Sequence, residues 1–192
     1  MYNPCKRLLA ARRPATWPDG MELSFAFAAD PDAAELAALH CAAAEDLTRR
    51  FGHGFWSASQ NEKSVLRDMS RPRFSRVLIA RAHARIAAPL RLATKKPWAI
   101  DTARFTQAER PLYLTGMATH PDFQRKGVGR LLLEEAEAVA RGWPGDAIRL
   151  DAFDSQAGAG AFYAKCGMRE VAHVVYRNNP LVYFERIIPK AL

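Results

Sequence analysis

The stretch from Leu112 to Phe153 constrains the fold more than any other part of this chain. LYLTGMAT, Leu112 to Thr119, reads as a strand; QRKGVG, Gln124 to Gly129, opens a helix; and AIRLDAF, Ala147 to Phe153, reads as another strand. The helix between them sets Val128, Leu132, Ala136, Val139 and Trp143 on one stripe, with Glu134, Glu135 and Glu137 mostly opposite. Beyond it, a short helix from Gln156 to Cys166 stops at Gly167, and VAHVVYR and LVYFERII read as strands joined through the turn NNP. One strand-helix-strand unit beside antiparallel sheet is too little for a doubly wound domain. The expected fold is therefore α/β of the α+β kind, a mixed and mainly antiparallel central sheet flanked by helices.

The upstream half fits that plan. ELSFAFAA, Glu22 to Ala29, alternates as a strand, and Asp30-Pro31 reads as a cap and first helical position for a helix ending near Phe51-Gly52. GHGFW, Gly52 to Trp56, reads as an aromatic loop. SQNE, Ser59 to Glu62, has capping-box spacing for a second helix carrying Val65, Leu66 and Met69. RVLIARA and RIAAPLRLA follow as strands, with Pro89 placing a bulge or an edge in the second. With 192 residues, 49% hydrophobic and 25% charged, residues 21–192 suffice for one domain with a real core. Residues 1–20, with Lys6, Arg7, Arg12 and Arg13 against Asp19, read as a disordered basic extension. No apolar stretch approaches the roughly 20 residues of a membrane span, and Cys5, Cys41 and Cys166 show no CxxC pairing. A reducing cytoplasm is the expected location, with no membrane association.

A net charge of +8 favours an anionic partner. Nucleic acid is disfavoured, because the chain has no zinc finger, no RNA-binding aromatic motif and no run of five or more like charges. Within QRKGVG, a Walker loop fails because Arg130 stands where a magnesium-binding hydroxyl is required. A dinucleotide fingerprint fits Gly127 and Gly129 but meets Leu132 in place of its third glycine, and only Asp151 downstream speaks for it. The pattern Gln/Arg-x-x-Gly-x-Gly/Ala is met by Gln124, Gly127 and Gly129. Amides at a helix start lack intrahelical partners and sit at the positive end of the macrodipole, so those from Arg125 to Arg130 can surround a pyrophosphate. Arg125, Lys126 and Arg130 add charge. The competing reading is a solvated basic helix start.

This motif resembles that of the GNAT superfamily of acyl-CoA-dependent N-acetyltransferases. A second likeness lies downstream: QAGAGAFYAKCGM resembles the family signature N-x-x-A-x-x-x-Y-x-x-x-G-F, with Gln156, Ala159, Tyr163, Gly167 and Met168 at the matching places. The departures are Gln156 for Asn, Met168 for Phe, and Thr119 where an apolar strand residue is usual. The resemblance is best from Leu112 to Gly167. It implies an acyltransferase moving an acetyl group from acetyl-CoA to a primary amine of a small molecule, an amino acid or small amine, by direct attack and without metal. Two alternatives stand beside it: a protein N-terminal or lysine acetyltransferase, and an inactive CoA-binding regulatory module.

The resemblance further implies site residues. Backbone groups of Met117, Ala118 and Thr119 would pair with pantetheine, and an amide near Met117 or Ala118 would polarise the thioester. The loop Gln124, Arg125, Lys126, Gly127, Val128, Gly129 and Arg130 would hold the pyrophosphate, with Gln156 beside the cofactor. Tyr163 would protonate the departing thiolate, against the plainer reading of a core aromatic. Cys166 reads as a small buried group rather than a nucleophile. The base is unassigned: Asp151, Asp154 and His120 are candidates, each with a structural reading. Phe55, Trp56 and Trp98 are expected at the acceptor pocket, or else as aromatic core plugs. The positive charge slightly favours amino acids, neutral amines or acidic peptides over polycations. A homodimer is left open.

Overall fold

The computed structural model describes residues 15–16, 22–58, 60–143 and 145–189. The basic side chains of the N-terminal extension and Ser59 lie outside the described residues. The strands are β1 (Ala15–Thr16), β2 (Glu22–Phe27), β3 (Ser75–Ala82), β4 (Arg85–Ala93), β5 (Pro111–Thr115), β6 (Ala147–Phe153), β7 (Arg169–Tyr176) and β8 (Asn179–Ile187). The helices are α1 (Ala33–Phe51), α2 (Glu62–Met69), α3 (Val128–Gly142) and α4 (Gly160–Lys165). One eight-stranded sheet runs in the order β1-β2-β3-β4-β5-β6-β8-β7. Among the described residues only β5 and β6 pair in parallel, as the α3 crossover between them requires. The mixed, mainly antiparallel fold expected from the sequence is present.

Both faces of the sheet are covered. Alternation in β3 sends Leu78 and Ala80 to the face that buries Val128, Leu132, Leu133, Ala136 and Val139 of α3. Val77 and Ile79 point the other way, onto Leu36 and Leu39 of α1 and Val65 of α2. A third cluster of Ile100, Phe105, Tyr113 and Tyr183 seats the long loop before β5. Tyr183 anchors it by donating its hydroxyl proton to the Ala99 carbonyl and accepting from the Asp101 amide at 3.2 Å.

Several local expectations are corrected. Asp30-Pro31 opens a short 3-10 turn over Asp30–Asp32 and does not cap α1, which starts at Ala33. The α2 cap is Asn61, whose side-chain oxygen accepts from the Ser64 amide at 2.9 Å. Glu135 lies inside rather than opposite the apolar stripe, at 3% exposure.

The correction with most consequence concerns the strand expected over 112–119. β5 ends at Thr115, and Gly116 follows at φ +59, a left-handed conformation that side chains rarely tolerate. β5 pairs with β6 only through Tyr113 opposite Arg149, whereas β6 stays on β8 as far as Phe153 opposite Leu181. Beyond the bend the chain stays with β4 instead: the Ala118 amide donates to the Pro89 carbonyl at 3.2 Å and the His120 amide to the Ala87 carbonyl at 2.9 Å. In a strand the nitrogen and carbonyl of one residue face the same side, so Pro89, which has no amide hydrogen, puts its missing donor against this irregular segment. The bulge expected in this strand lies two residues before Pro89: Ala80 pairs with Ala88 and Arg81 with Ile86, which leaves Ala87 as the extra residue of β4. The sheet thus opens between β5 and β6.

Candidate active site

A cleft of about 540 Å³ occupies this opening. One wall is the bent segment Met117, Ala118 and Thr119; the turn from Gln156 to Ala159 and α4, with Phe162 and Tyr163, form the other; Leu47, Arg50 and Phe51 of α1 close a third side. Gln124, Arg125, Gly127, Val128, Gly129 and Arg130 lie at its end.

Two left-handed residues shape that end, Arg125 at φ +58 and Gly127 at φ +78. Left-handed residues interleaved with right-handed ones turn successive amides to one side of the chain, forming an anion-binding concavity. None of the amides from Arg125 to Arg130 finds an acceptor among the described residues; the Leu131 amide is the first to bond, to the Gly127 carbonyl at 3.2 Å. They stand at the positive end of a 15-residue helix. Gln124 donates from Nε2 to the Thr119 carbonyl at 3.3 Å, so its side chain ties the loop to the bent wall. Gly129 has a packing reason besides: a Cβ there would come within 3.3 Å of Phe162 and 3.4 Å of Met117.

The charged side chains are less uniform than the sequence suggests. Arg130 bonds Glu134 at 3.0 Å. Lys126 does not line the cleft; its ammonium lies 5.9 Å from the Phe123 ring centre. Arg50 and Lys165, which the motif reading missed, do line it. Arg50 had a visible signal, its place beside Leu47 and Phe51, which are four apart on the inward stripe of α1.

Along the bent wall, the Ala118 and His120 amides face β4. Alternation turns those of Met117 and Thr119 toward the cleft, and neither has a protein partner among the described residues. Of the two oxyanion donors considered, Met117 therefore has the free amide.

Tyr163 is buried at 5% exposure, yet it lines the cleft. Its hydroxyl donates to Met117 Sδ at 3.7 Å, and its ring packs on Phe162 and Phe184 with centroids 5.2 and 5.8 Å away. Burial first, then the nearby Asp151 and Cys166, push the phenol well above its ordinary value. Burial likewise raises the Cys166 thiol, against the pull of Arg130 and Arg186, which keeps it a poor nucleophile. Asp151, on β6, is also raised by burial.

The other base candidates are engaged. Asp154 pairs with His173 Nδ1 at 2.7 Å rather than capping the next helix. His120 Nδ1 accepts from the Asp122 amide at 3.2 Å. Phe55 stacks on Phe153, the last residue of β6, at 5.5 Å between centroids, and Trp56 meets it edge-on at 6.4 Å. These two rings cap the end of β6, and neither lines the cleft. Trp98 is not brought to this site: it is 84% exposed and lines a separate surface cleft with His173, Tyr176 and Tyr183.

A mixed sheet split at the parallel pair β5–β6, with a helix N-terminus and a row of unbonded amides at the split, defines the acyl-CoA N-acyltransferase class of fold. Known proteins agree. The chain belongs to the Acetyltransferase (GNAT) family, whose family model matches residues 45–168, and it is accordingly an acyltransferase. The GNAT domain of S. lividans PAT superposes with a TM-score of 0.70 at 16% identity, covering 91% of this chain and 96% of that one. The paia N-acetyltransferase from Thermoplasma acidophilum, solved with coenzyme A, gives 0.63 at 15% identity, with coverage of 84% and 97%. The ribosomal-protein-S18-alanine N-acetyltransferase from Escherichia coli gives 0.62 at 18%, with 88% and 96%. No curated protein sequence matches the chain. Among the described residues no helix is long and apolar enough to cross a membrane.

Proposed function

We propose that this protein transfers the acetyl group of acetyl-CoA to the primary amine of a small molecule, an amino acid or a small amine, by direct attack. The observation that carries this reading is the run of unbonded amides from Arg125 to Arg130 at the α3 terminus. Such a cradle suits a pyrophosphate, because these donors have no acceptor among the described residues. Gln124 holds the cradle to the bent wall, and Gln156 lies along the opposite side of the cosubstrate. The Met117 and Thr119 amides present a bare strand edge to the amide-bearing pantetheine arm.

With the arm so placed, the Met117 amide donates to the thioester oxygen as negative charge develops there. Oxyanion donors of this kind are worth about 3 kcal/mol of barrier. The amine nitrogen forms a bond to the carbonyl carbon, the carbon–sulfur bond breaks, and the thiolate takes the Tyr163 proton. Burial raises the phenol, so Tyr163 is in its protonated form at neutral pH when the thiolate departs. Phe55 and Trp56 border the acceptor's entry.

Calorimetry with acetyl-CoA, followed by thiol release across amino acids, short amines and peptides, tests this reading. Binding is expected with turnover of the small amines. Turnover of peptides alone would replace it with a protein acetyltransferase, binding without any thiol release would leave a regulatory module, and absent binding would end it.

A further inference from the structure

A second, smaller cavity of about 110 Å³ lies on the far side of the bent segment. Thr115 and Gly116 line it, while the next residues, Met117 to Thr119, line the cosubstrate cleft, so one stretch of backbone walls both. Helix α1 also spans both. Leu36 and His40 face the small cavity and Leu47 and Phe51 the large one, all on a single stripe at helical spacing. A Cβ built at Gly116 would meet no atom within 4 Å, so open space borders the chain immediately before Met117.

The chemistry of the small cavity is that of an amine site. Asp68 of α2 and Arg91 of β4 are the charged groups facing it. Arg91 gives Nη1 to Asp68 Oδ1 at 2.6 Å and Nε to Thr115 Oγ1 at 2.9 Å, which fixes the carboxylate and leaves Oδ2 without a partner among the described residues. His40 of α1 makes no hydrogen bond with the described residues and lines the same space. Burial holds its imidazole below the ordinary value, with Asp68 pulling the other way. A neutral imidazole beside a fixed carboxylate is suited to take a proton from an ammonium ion.

Building on the acetyltransferase reading above, we propose that this cavity receives the aminoalkyl end of the acceptor, with Asp68 attracting its ammonium group and His40 acting as the general base. The ammonium gives one proton to His40, which passes it to solvent. The freed lone pair attacks the thioester carbon and the carbon–sulfur bond breaks. The second proton leaves the nitrogen as the amide forms and restores the one Tyr163 gives to the sulfur. The product is the acetamide, with CoA thiol and one released proton. The cavity admits a short unbranched end of a few heavy atoms, so the acceptor class is a primary alkylamine that is protonated in solution.

The test uses ethylamine as the probe on the acetyl-CoA-loaded protein. Histidine ring resonances are followed by NMR while thiol release is recorded from pH 5 to 9, for wild type, His40→Gln and Asp68→Asn. Saturable shifts of the His40 ring are expected, with thiol release that falls on the acid side. His40→Gln should lose about 100-fold in kcat/KM for ethylamine and that acid limb, with unchanged acetyl-CoA affinity. Asp68→Asn should raise KM and move the limb to lower pH, a shift that a packing role would not produce. An unmoved His40 ring, or wild-type rates and pH profile in His40→Gln, overturns the assignment. Loss of acetyl-CoA binding by the wild type would instead refute the underlying reading.

Discussion

Replacing Tyr163 by Phe separates packing from chemistry at one position. The ring packs on Phe162 and Phe184 in the main core, and Phe preserves those contacts. The hydroxyl contributes one hydrogen bond, to a methionine sulfur 3.7 Å away, which is a weak acceptor. Its loss should cost at most about 1 kcal/mol of stability. If the phenol is the proton donor to the departing sulfur, its removal should lower kcat by ~10²–10⁴, or about 2.7–5.4 kcal/mol of barrier at 1.36 per decade. The stability and rate effects therefore differ severalfold in energy. Burial raises the phenol, so the wild-type rate should show no alkaline loss from this group below its ordinary value of about 10. Urea unfolding, acetyl-CoA calorimetry and thiol release measure the three quantities. Equal turnover by Tyr163→Phe with a proven acceptor refutes the assignment, as would a rate loss explained by lost acetyl-CoA affinity.

Other perturbations probe the frame around that residue. Gly127 sits at φ +78, so Gly127→Ala carries about 1–2 kcal/mol of strain in the amide cradle and should weaken acetyl-CoA about tenfold by calorimetry. Glu185 is 1% exposed and receives Arg149 at 3.0 Å, Arg169 at 2.7 Å and the Thr106 amide at 3.4 Å. Glu185→Ala leaves Arg149 buried without its partner and should cost about 3–5 kcal/mol in urea unfolding. Burial would raise this carboxyl, but those hydrogen bonds outweigh it and hold it below the usual glutamate range. Its contribution is thus present at neutral pH and lost as pH falls through the depressed value. Exposed His173 is raised by its hydrogen bonds to Asp154 and Glu170, so that clamp holds at low pH and is released as pH rises through the folded value. Exchange protection of amides 155–159 should drop across that rise in wild type and not in His173→Gln.

The architecture was legible because its strongest signals are local. The α3 stripe, the paired glycines and the Gly167 stop each lie within a few residues, and the structure brings Gln124, Arg125, Gly127 to Arg130, Gln156 and Tyr163 to one cleft, without Lys126. What the sequence hid depends on register. Whether Ala118 or Met117 offers its amide is decided by Pro89, some thirty residues upstream. Trp98 carries no mark that its loop is drawn to the far face by Tyr183. SQNE and NEKS overlap, so two caps compete, and the Asn61 bond to Ser64 shows which pattern holds the helix. His40 had no local signature, since its surroundings come from α2, β4 and the end of β5.

An opening inside a sheet is unfavourable unless something fills it, because bare strand edges waste hydrogen bonds and invite foreign strands. Here the fold produces the opening at one place and confines it. Gly116 turns the chain, Pro89 has no hydrogen to demand from it, and Ala118 and His120 tie it to β4 at once. On the other side, β6 is held along its length by β8, so it does not follow β5. The gap is consequently rigid on both edges rather than loose. Rigidity matters for the proposed chemistry: an amide that need not reorganise as charge develops stabilises it more than a mobile one. The two halves of the proposed site lie on opposite sides of the gap, Tyr163 on the helix after β6 and the loop amides on the helix after β5. Each is fixed to a different edge, so in the proposed reaction a cosubstrate that bridges the two edges would bring its sulfur to one and its phosphates to the other.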